Sequence, residues 1–232
     1  MTHAQQHPHR GHDHGPAHAD PHALDSFDAE AAGWDDRPGH RERAERLAVA
    51  LRERLALDGH HRVLEVGAGT GLLSRLLAAD VASVLVTDPS AGMVTVAEQA
   101  VAEAGLADRL TVRRLDLTSD PTPAEAPFDI AWSSLALHHV ADVDRMLRRL
   151  ADVLVPGGVV AIAELDADPE GAFHRGREGF AGHHGFDREA LTARLQSAGF
   201  TAVEIRDVDT ITTDVEGQPR DFAVFLATAR RA

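Results

Sequence analysis

An α/β fold with a mainly parallel sheet and helices on both faces is what this sequence of 232 residues predicts. Three observations predict it. Short apolar runs of strand length alternate with helix-period segments from residue 63 onward. The first run, Val63-Leu64-Glu65-Val66, enters a glycine-packed turn, Gly67-Ala68-Gly69-Thr70-Gly71, and a helix pattern of leucines follows at once. Acidic residues then stand at the ends of successive strand runs.

Taken in order, residues 1–22 come first and differ from the rest. They hold seven histidines among Pro, Gly and Ala, with almost no large apolar residue, and cannot bury enough surface to offset the cost of ordering. They read as a disordered tail, with weak divalent-metal binding by imidazoles such as His7, His9, His12 and His14 as the functional alternative to simple solvation. Deleting 1–22 is therefore expected to leave melting temperature and ligand affinity intact while lowering retention on immobilised nickel. A large fall in melting temperature would show the tail to be packed.

Residues 23–58 read as a helical cap. Phe27–Trp34 is a short apolar-punctuated segment, and Ala44, Leu47, Ala48, Leu51 and Leu55 share one face of a helix over 41–57. The domain proper spans 59–232. Strands are predicted at 63–66, 81–87, 110–115, 128–133, 159–165, 202–208 and 221–227. Helices are predicted at 70–79, 90–104, 141–154 and 188–198. Pro156-Gly157-Gly158 reads as a turn before the fifth strand. The longest connection in the core, 166–186, carries Phe173, Phe180 and Phe186 among histidines and arginines. Loops of that length in compact domains are functional or disordered.

In an open parallel sheet, ligands bind outside the carboxyl ends of the strands. The first strand ends in Glu65 and the glycine loop; the second ends in Asp88, twenty-one residues after Gly67. That is the spacing of an acid that hydrogen-bonds ribose hydroxyls. The third ends in Asp116-Leu117, where a carboxylate can accept from an adenine amino group, and the fourth in Ser133-Ser134. Each position has a plainer reading. Asp88-Pro89-Ser90 is also turn and helix-cap chemistry. Met93 is a wall for the ligand or ordinary core, Glu65 a ligand or a group bonded at a helix N-terminus, and Asp116 a ligand or a loop cap. Three acids at three consecutive strand ends beside a glycine loop favour a nucleoside site.

On these residues the stretch from about 60 to 165 resembles the class I S-adenosylmethionine-dependent methyltransferases, closest to the small-molecule type. Val63–Gly71 is similar to the family's first motif, Asp88-Pro89-Ser90 with Met93 to its acidic second motif, and Leu115-Asp116-Leu117 to its adenine-contacting motif. Phe128-Asp129-Ile130 through Leu137-His138-His139 resembles the fourth motif and its loop. The resemblance implies a Rossmann-like, doubly wound, seven-stranded sheet of order 3-2-1-4-5-7-6 with strand seven antiparallel. It implies S-adenosyl-L-methionine as cofactor, held by Glu65, Gly67, Ala68, Gly69, Gly71, Asp88, Pro89, Ser90, Met93, Asp116, Leu117 and Ser133, with the element around Trp34 covering the pocket. The reaction implied is in-line methyl transfer to a small molecule, for which no metal is required.

Such transfer asks the protein to position, desolvate and remove a proton where the acceptor needs it. Imidazole suits the last task. His183 and His184 in the 166–186 loop, with His174 beside them, and His138 and His139 after the fourth strand are the candidate bases; the latter two also read as structural. A metal site from His174, His183 and His184 lacks an established ligand spacing.

Composition narrows the partners. A formal charge of −14 repels phosphate backbones, so neither a nucleic acid nor a membrane surface is an expected partner. There is no cysteine, which suits a reducing cytoplasm, and no apolar run of membrane-spanning length. Two other functions fit the same motifs. A non-catalytic binder of S-adenosylmethionine or S-adenosylhomocysteine would keep these residues. A nicotinamide-dependent oxidoreductase would need a third glycine where Leu72 stands.

Overall fold

The computed structural model describes residues 21–177 and 179–232. The tail expectation falls outside these residues, except that the first helix begins at Pro21. Helices α1 (Pro21–Glu30) and α2 (His40–Leu55) flank a 3₁₀ turn at Ala31–Gly33. Then follow β1 (Arg62–Val66), α3 (Leu72–Leu77), β2 (Ser83–Asp88), α4 (Ala91–Glu103), β3 (Leu110–Arg114) and β4 (Phe128–Ser134). After a 3₁₀ turn at Leu137–His139 come α5 (Val143–Val153), β5 (Leu154–Leu165), α6 (Arg188–Ser197), β6 (Phe200–Val215) and β7 (Gln218–Arg231).

The seven strands lie in the order β3-β2-β1-β4-β5-β7-β6, and β7 runs antiparallel to both its neighbours. This is the Rossmann-like order that the resemblance implies. Strand alternation decides what each face buries. On one face Leu64, Ala131, Val160 and Ile162 pack under α5 and α6 with Leu147, Leu150 and Leu191. On the other, Val63, Ile130, Trp132 and Ala161 pack with Leu47 and Leu51 of α2 and Leu73 and Leu77 of α3. The parity carries over to polar residues. Glu65 shares the face of Val63, toward α3, and Glu164 shares the face of Val160 and Ile162, toward α5.

Three boundaries differ from expectation. Pro156-Gly157-Gly158 does not form a turn ahead of β5. It lies within that strand, where pairing with β4 shifts register between Phe128 and Ile130. Gly158 has no room for a Cβ, which would sit 2.8 Å from the Val155 carbonyl oxygen. Strands β6 and β7 are far longer than the apolar patches that mark them and form one hairpin. Glu216 and Gly217, both at positive φ (56° and 82°), close it as the two-residue mirror turn that suits twisted strands. Among the described residues no helix is long and apolar enough to cross a membrane.

Candidate active site

The glycine loop leaves the carboxyl end of β1 and passes below the N-terminus of α3. Gly67, Gly69 and Gly71 all adopt positive φ, which a side chain would strain. A Cβ on Gly67 would overlap that of Ala136, so the loop runs hard against the segment after β4. A Cβ on Gly69 would point at Trp34 Nε1 and Met93 Sδ, 3.6 and 3.8 Å away, across the space where a ligand would lie.

That space is a cavity of about 290 Å³ at the carboxyl ends of β1, β2, β3 and β4. Of the expected cofactor residues, Glu65, Gly67, Ala68, Gly69, Asp88, Pro89, Met93, Asp116, Leu117 and Ser133 all line it. Gly71 and Ser90 do not. Gly71 caps α3 in the left-handed conformation, with Val86 Cγ1 where a Cβ would press. Ser90 is the buried N-cap of α4 and accepts from the Met93 amide, so its role here is the plainer one.

Two acids at the cavity floor are buried. Asp88 accepts from the Gly69 amide at 2.8 Å through one oxygen and from the Ser90 amide at 2.8 Å through the other. Burial nevertheless pushes its pKa from 3.8 up to about 6, against the pull of these amides. Burial likewise raises Glu65 from 4.5 to about 7, only partly offset by the Ser74 hydroxyl of α3. Both acids hold a proton more tightly folded than unfolded. The ligand-free protein is therefore expected to be more stable on the acid side and to lose that stability as pH rises from about 4 to about 7. In Asp88→Asn the loss between about pH 4 and 6 should shrink to the share that Glu65 contributes, as melting temperatures across pH would show. An unchanged profile would mean that Asp88 is solvated.

The N-terminal segment forms the opposite wall. Leu24, Phe27, Trp34 and Asp35 line the cavity. Asp35 ties this wall to the loop, accepting from the Thr70 hydroxyl and from Arg75 Nη2 at 2.6 Å. Asp28 reaches the N-terminus of α4, accepting from the Ser90 hydroxyl and from the Gly92 amide at 2.8 Å. The fit is close, because a Cβ on Gly92 would come within 2.7 Å of the Asp28 backbone.

The far half of the cavity is built from imidazoles. His138 and His139 line it, and so does His174, but His183 and His184 do not. The His183 ring sits against the Val140 carbonyl, its Nε2 at 3.1 Å, and its amide donates to the His138 carbonyl at 2.7 Å. His184 packs over Gly171. His138 is held by a residue that sequence reasoning passed over. Its Nδ1 lies 2.8 Å from Oε2 of Glu164, which is fully buried and also accepts from the amides of His138 and Leu165. Glu164 stands near the carboxyl end of β5, the same signal that marked Glu65, Asp88 and Asp116 on their strands. With Nδ1–H donated to Glu164, His138 Nε2 carries no hydrogen bond among the described residues and is the basic nitrogen. Among the described residues no cluster of metal ligands occurs.

A cradle with room for a backbone-hugging ligand, a buried acid held by the glycine loop and a second acid at the next strand end fit a nucleoside cofactor of this kind. Comparison with known proteins agrees. Residues 63–158 match the family model described as a methyltransferase domain. The chain is 36% identical over 125 residues to the methyltransferase GfsG of Streptomyces halstedii, covering 53% of this chain and 45% of that one. It is 30% identical over 162 residues to the ubiquinone biosynthesis O-methyltransferase of Azorhizobium caulinodans, covering 63% of each. It thus spans less than two thirds of either relative. The solved structure of the [4+2]-cyclase SpnF superposes with a TM-score of 0.64 at 25% identity, covering 80% of each chain. Residues 63–158 are thus a methyltransferase domain of the S-adenosylmethionine-dependent type, and the cofactor of such domains is S-adenosylmethionine.

Proposed function

We propose that this protein transfers a methyl group from S-adenosylmethionine to a small-molecule acceptor by in-line displacement, with His138 as general base. One observation carries the reading: a single cavity is lined by both the Gly69–Asp88 cradle and His138, which the buried Glu164 holds from behind. When bound, S-adenosylmethionine supplies an electrophilic methyl group on a sulfonium. Asp88 would take hydrogen bonds from ribose hydroxyls and Asp116 from the adenine amino group, while Met93 and Leu117 flank the ring. His138 Nε2 takes the acceptor's proton, and Glu164 fixes the tautomer and stabilises the imidazolium. In this reading residues 23–58 form a lid that excludes water, and the 166–186 loop supplies the acceptor wall through Phe173, His174 and Arg177.

The test combines calorimetry with S-adenosylhomocysteine and transfer of labelled methyl from S-adenosylmethionine into a small-molecule extract. Binding and turnover are expected together. Binding without turnover would favour a non-catalytic binder, and absence of binding by folded, cofactor-free protein would overturn the reading altogether.

A further inference from the structure

The acceptor half of the cavity has an unusual inventory. His174 is 4% exposed, and neither of its ring nitrogens has a hydrogen-bond partner among the described residues. A buried imidazole without partners is costly, so such a group marks a place where a ligand supplies the bonds. Its orientation is built in. It stacks on Phe180 with ring centroids 3.8 Å apart and planes 6° from parallel, and Phe173 meets it edge-on at 4.9 Å. The His138 ring lies 5.2 Å away. Arg177 also lines the cavity and pairs with no carboxylate among the described residues.

Equally telling is the placement of negative charge. Asp35, Glu65, Asp88, Asp116 and Asp142 are the carboxylates that line the cavity, and each already accepts a hydrogen bond within the protein. Four belong to the lid and the ends of β1, β2 and β3, and Asp142 caps α5. Asp168, buried under the loop, does not line the cavity. It accepts from the Phe173 amide and faces Arg220 at 3.8 Å. The His139 and His174 imidazoles are neutral, because burial lowers their pKa values to about 2 and about 3. The other carboxylate on this side, Glu164, does not line the cavity and is taken up by His138 Nδ1 and the His138 and Leu165 amides, so no carboxylate faces the acceptor space to balance an ammonium group, and Arg177 would repel one.

Building on the methyl-transfer reading, we propose that the acceptor is a planar hydroxyl compound, a phenol or enol, neutral or anionic, and not an amine. In this arrangement a hydroxyl faces His138 Nε2, and a second oxygen substituent meets one of the two free nitrogens of His174, of which the neutral ring offers one as donor and the other as acceptor. Arg177 at the rim favours an acidic group on the same ring.

The test uses protein saturated with S-adenosylhomocysteine and three probes on one skeleton: 2-naphthol, 3-hydroxy-2-naphthoate and 2-naphthylmethylamine. Calorimetry is expected to rank the hydroxynaphthoate first and the naphthol second, with the amine at least about tenfold weaker than either. His174→Phe keeps the stack on Phe180 and should weaken the hydroxynaphthoate, the probe with a second oxygen substituent, about tenfold while leaving the naphthol and S-adenosylhomocysteine affinities unchanged. Arg177→Gln, at an exposed position, should bring the hydroxynaphthoate and naphthol affinities together. The proposal is overturned if the amine binds as tightly as the naphthol, if none of the probes binds, or if His174→Phe, still binding the cofactor product, loses nothing. Failure to bind S-adenosylhomocysteine would instead strike the methyl-transfer reading itself.

Discussion

Replacing His138 with Asn is expected to lower kcat by about 10²–10⁴-fold, the usual cost of removing a general base. S-adenosylhomocysteine affinity should hardly move, since the cofactor residues lie on the other side of the cavity. The residual rate should climb with pH as the acceptor hydroxyl ionises unaided. Glu164→Gln keeps an acceptor oxygen for one of the two buried amides but removes the charge that stabilises the imidazolium, so it should slow turnover through kcat rather than KM. Measuring both variants with one acceptor decides the matter. Full activity in His138→Asn would leave His139, His174 or positioning alone as the source of rate.

Asp88→Ala should weaken S-adenosylmethionine binding by about 2–3 kcal/mol, or roughly 30–150-fold, because ribose hydroxyls lose a charged acceptor. The variant also strips the Gly69 and Ser90 amides of their acceptor, so the loop itself is loosened. Asp88→Asn separates these effects by keeping an oxygen for one amide. Wild-type affinity should rise as pH passes about 6, where the raised pKa lets the carboxylate form, and this rise should be absent in Asp88→Asn. Calorimetry at pH 5 and pH 8 reads all three proteins. Equal affinities throughout would reduce Asp88 to a turn residue.

The sheet and the glycine–acid half of the site were legible because local signals announce them. Val63–Val66 and Ser83–Asp88 are apolar runs ending in turn residues, and strand ends in a parallel sheet converge by topology. What escaped has no local signal. The tip of the β6–β7 hairpin stands clear of the core, so it alternates polar residues that read as loop. Asp28 and Asp35 act on residues 62 and 35 positions away, and nothing nearby in the chain foretells those contacts. Among the loop histidines, His174 rather than His183 faces the cavity because Gly182 allows the chain to pass tight against the His138 carbonyl, which turns His183 toward Val140. Irregular backbone leaves such orientation to tertiary packing. Glu164 alone was within reach, since it follows an apolar strand run as plainly as Asp88 does.

The contact of Asp28 with α4 has a kinetic consequence. The Ser90 hydroxyl donates to Asp28 while accepting from the Met93 amide, and the Gly92 amide donates to the same carboxylate oxygen. The first turn of α4 is therefore completed by a residue from α1, and the two segments come apart only at the cost of leaving helix-end donors bare. Each opening of the N-terminal wall frays the helix whose Met93 faces the cavity, so ligand exchange and helix fraying share one barrier. Hydrogen exchange at the Gly92 amide should then run in step with cofactor dissociation, and Asp28→Ala should quicken both.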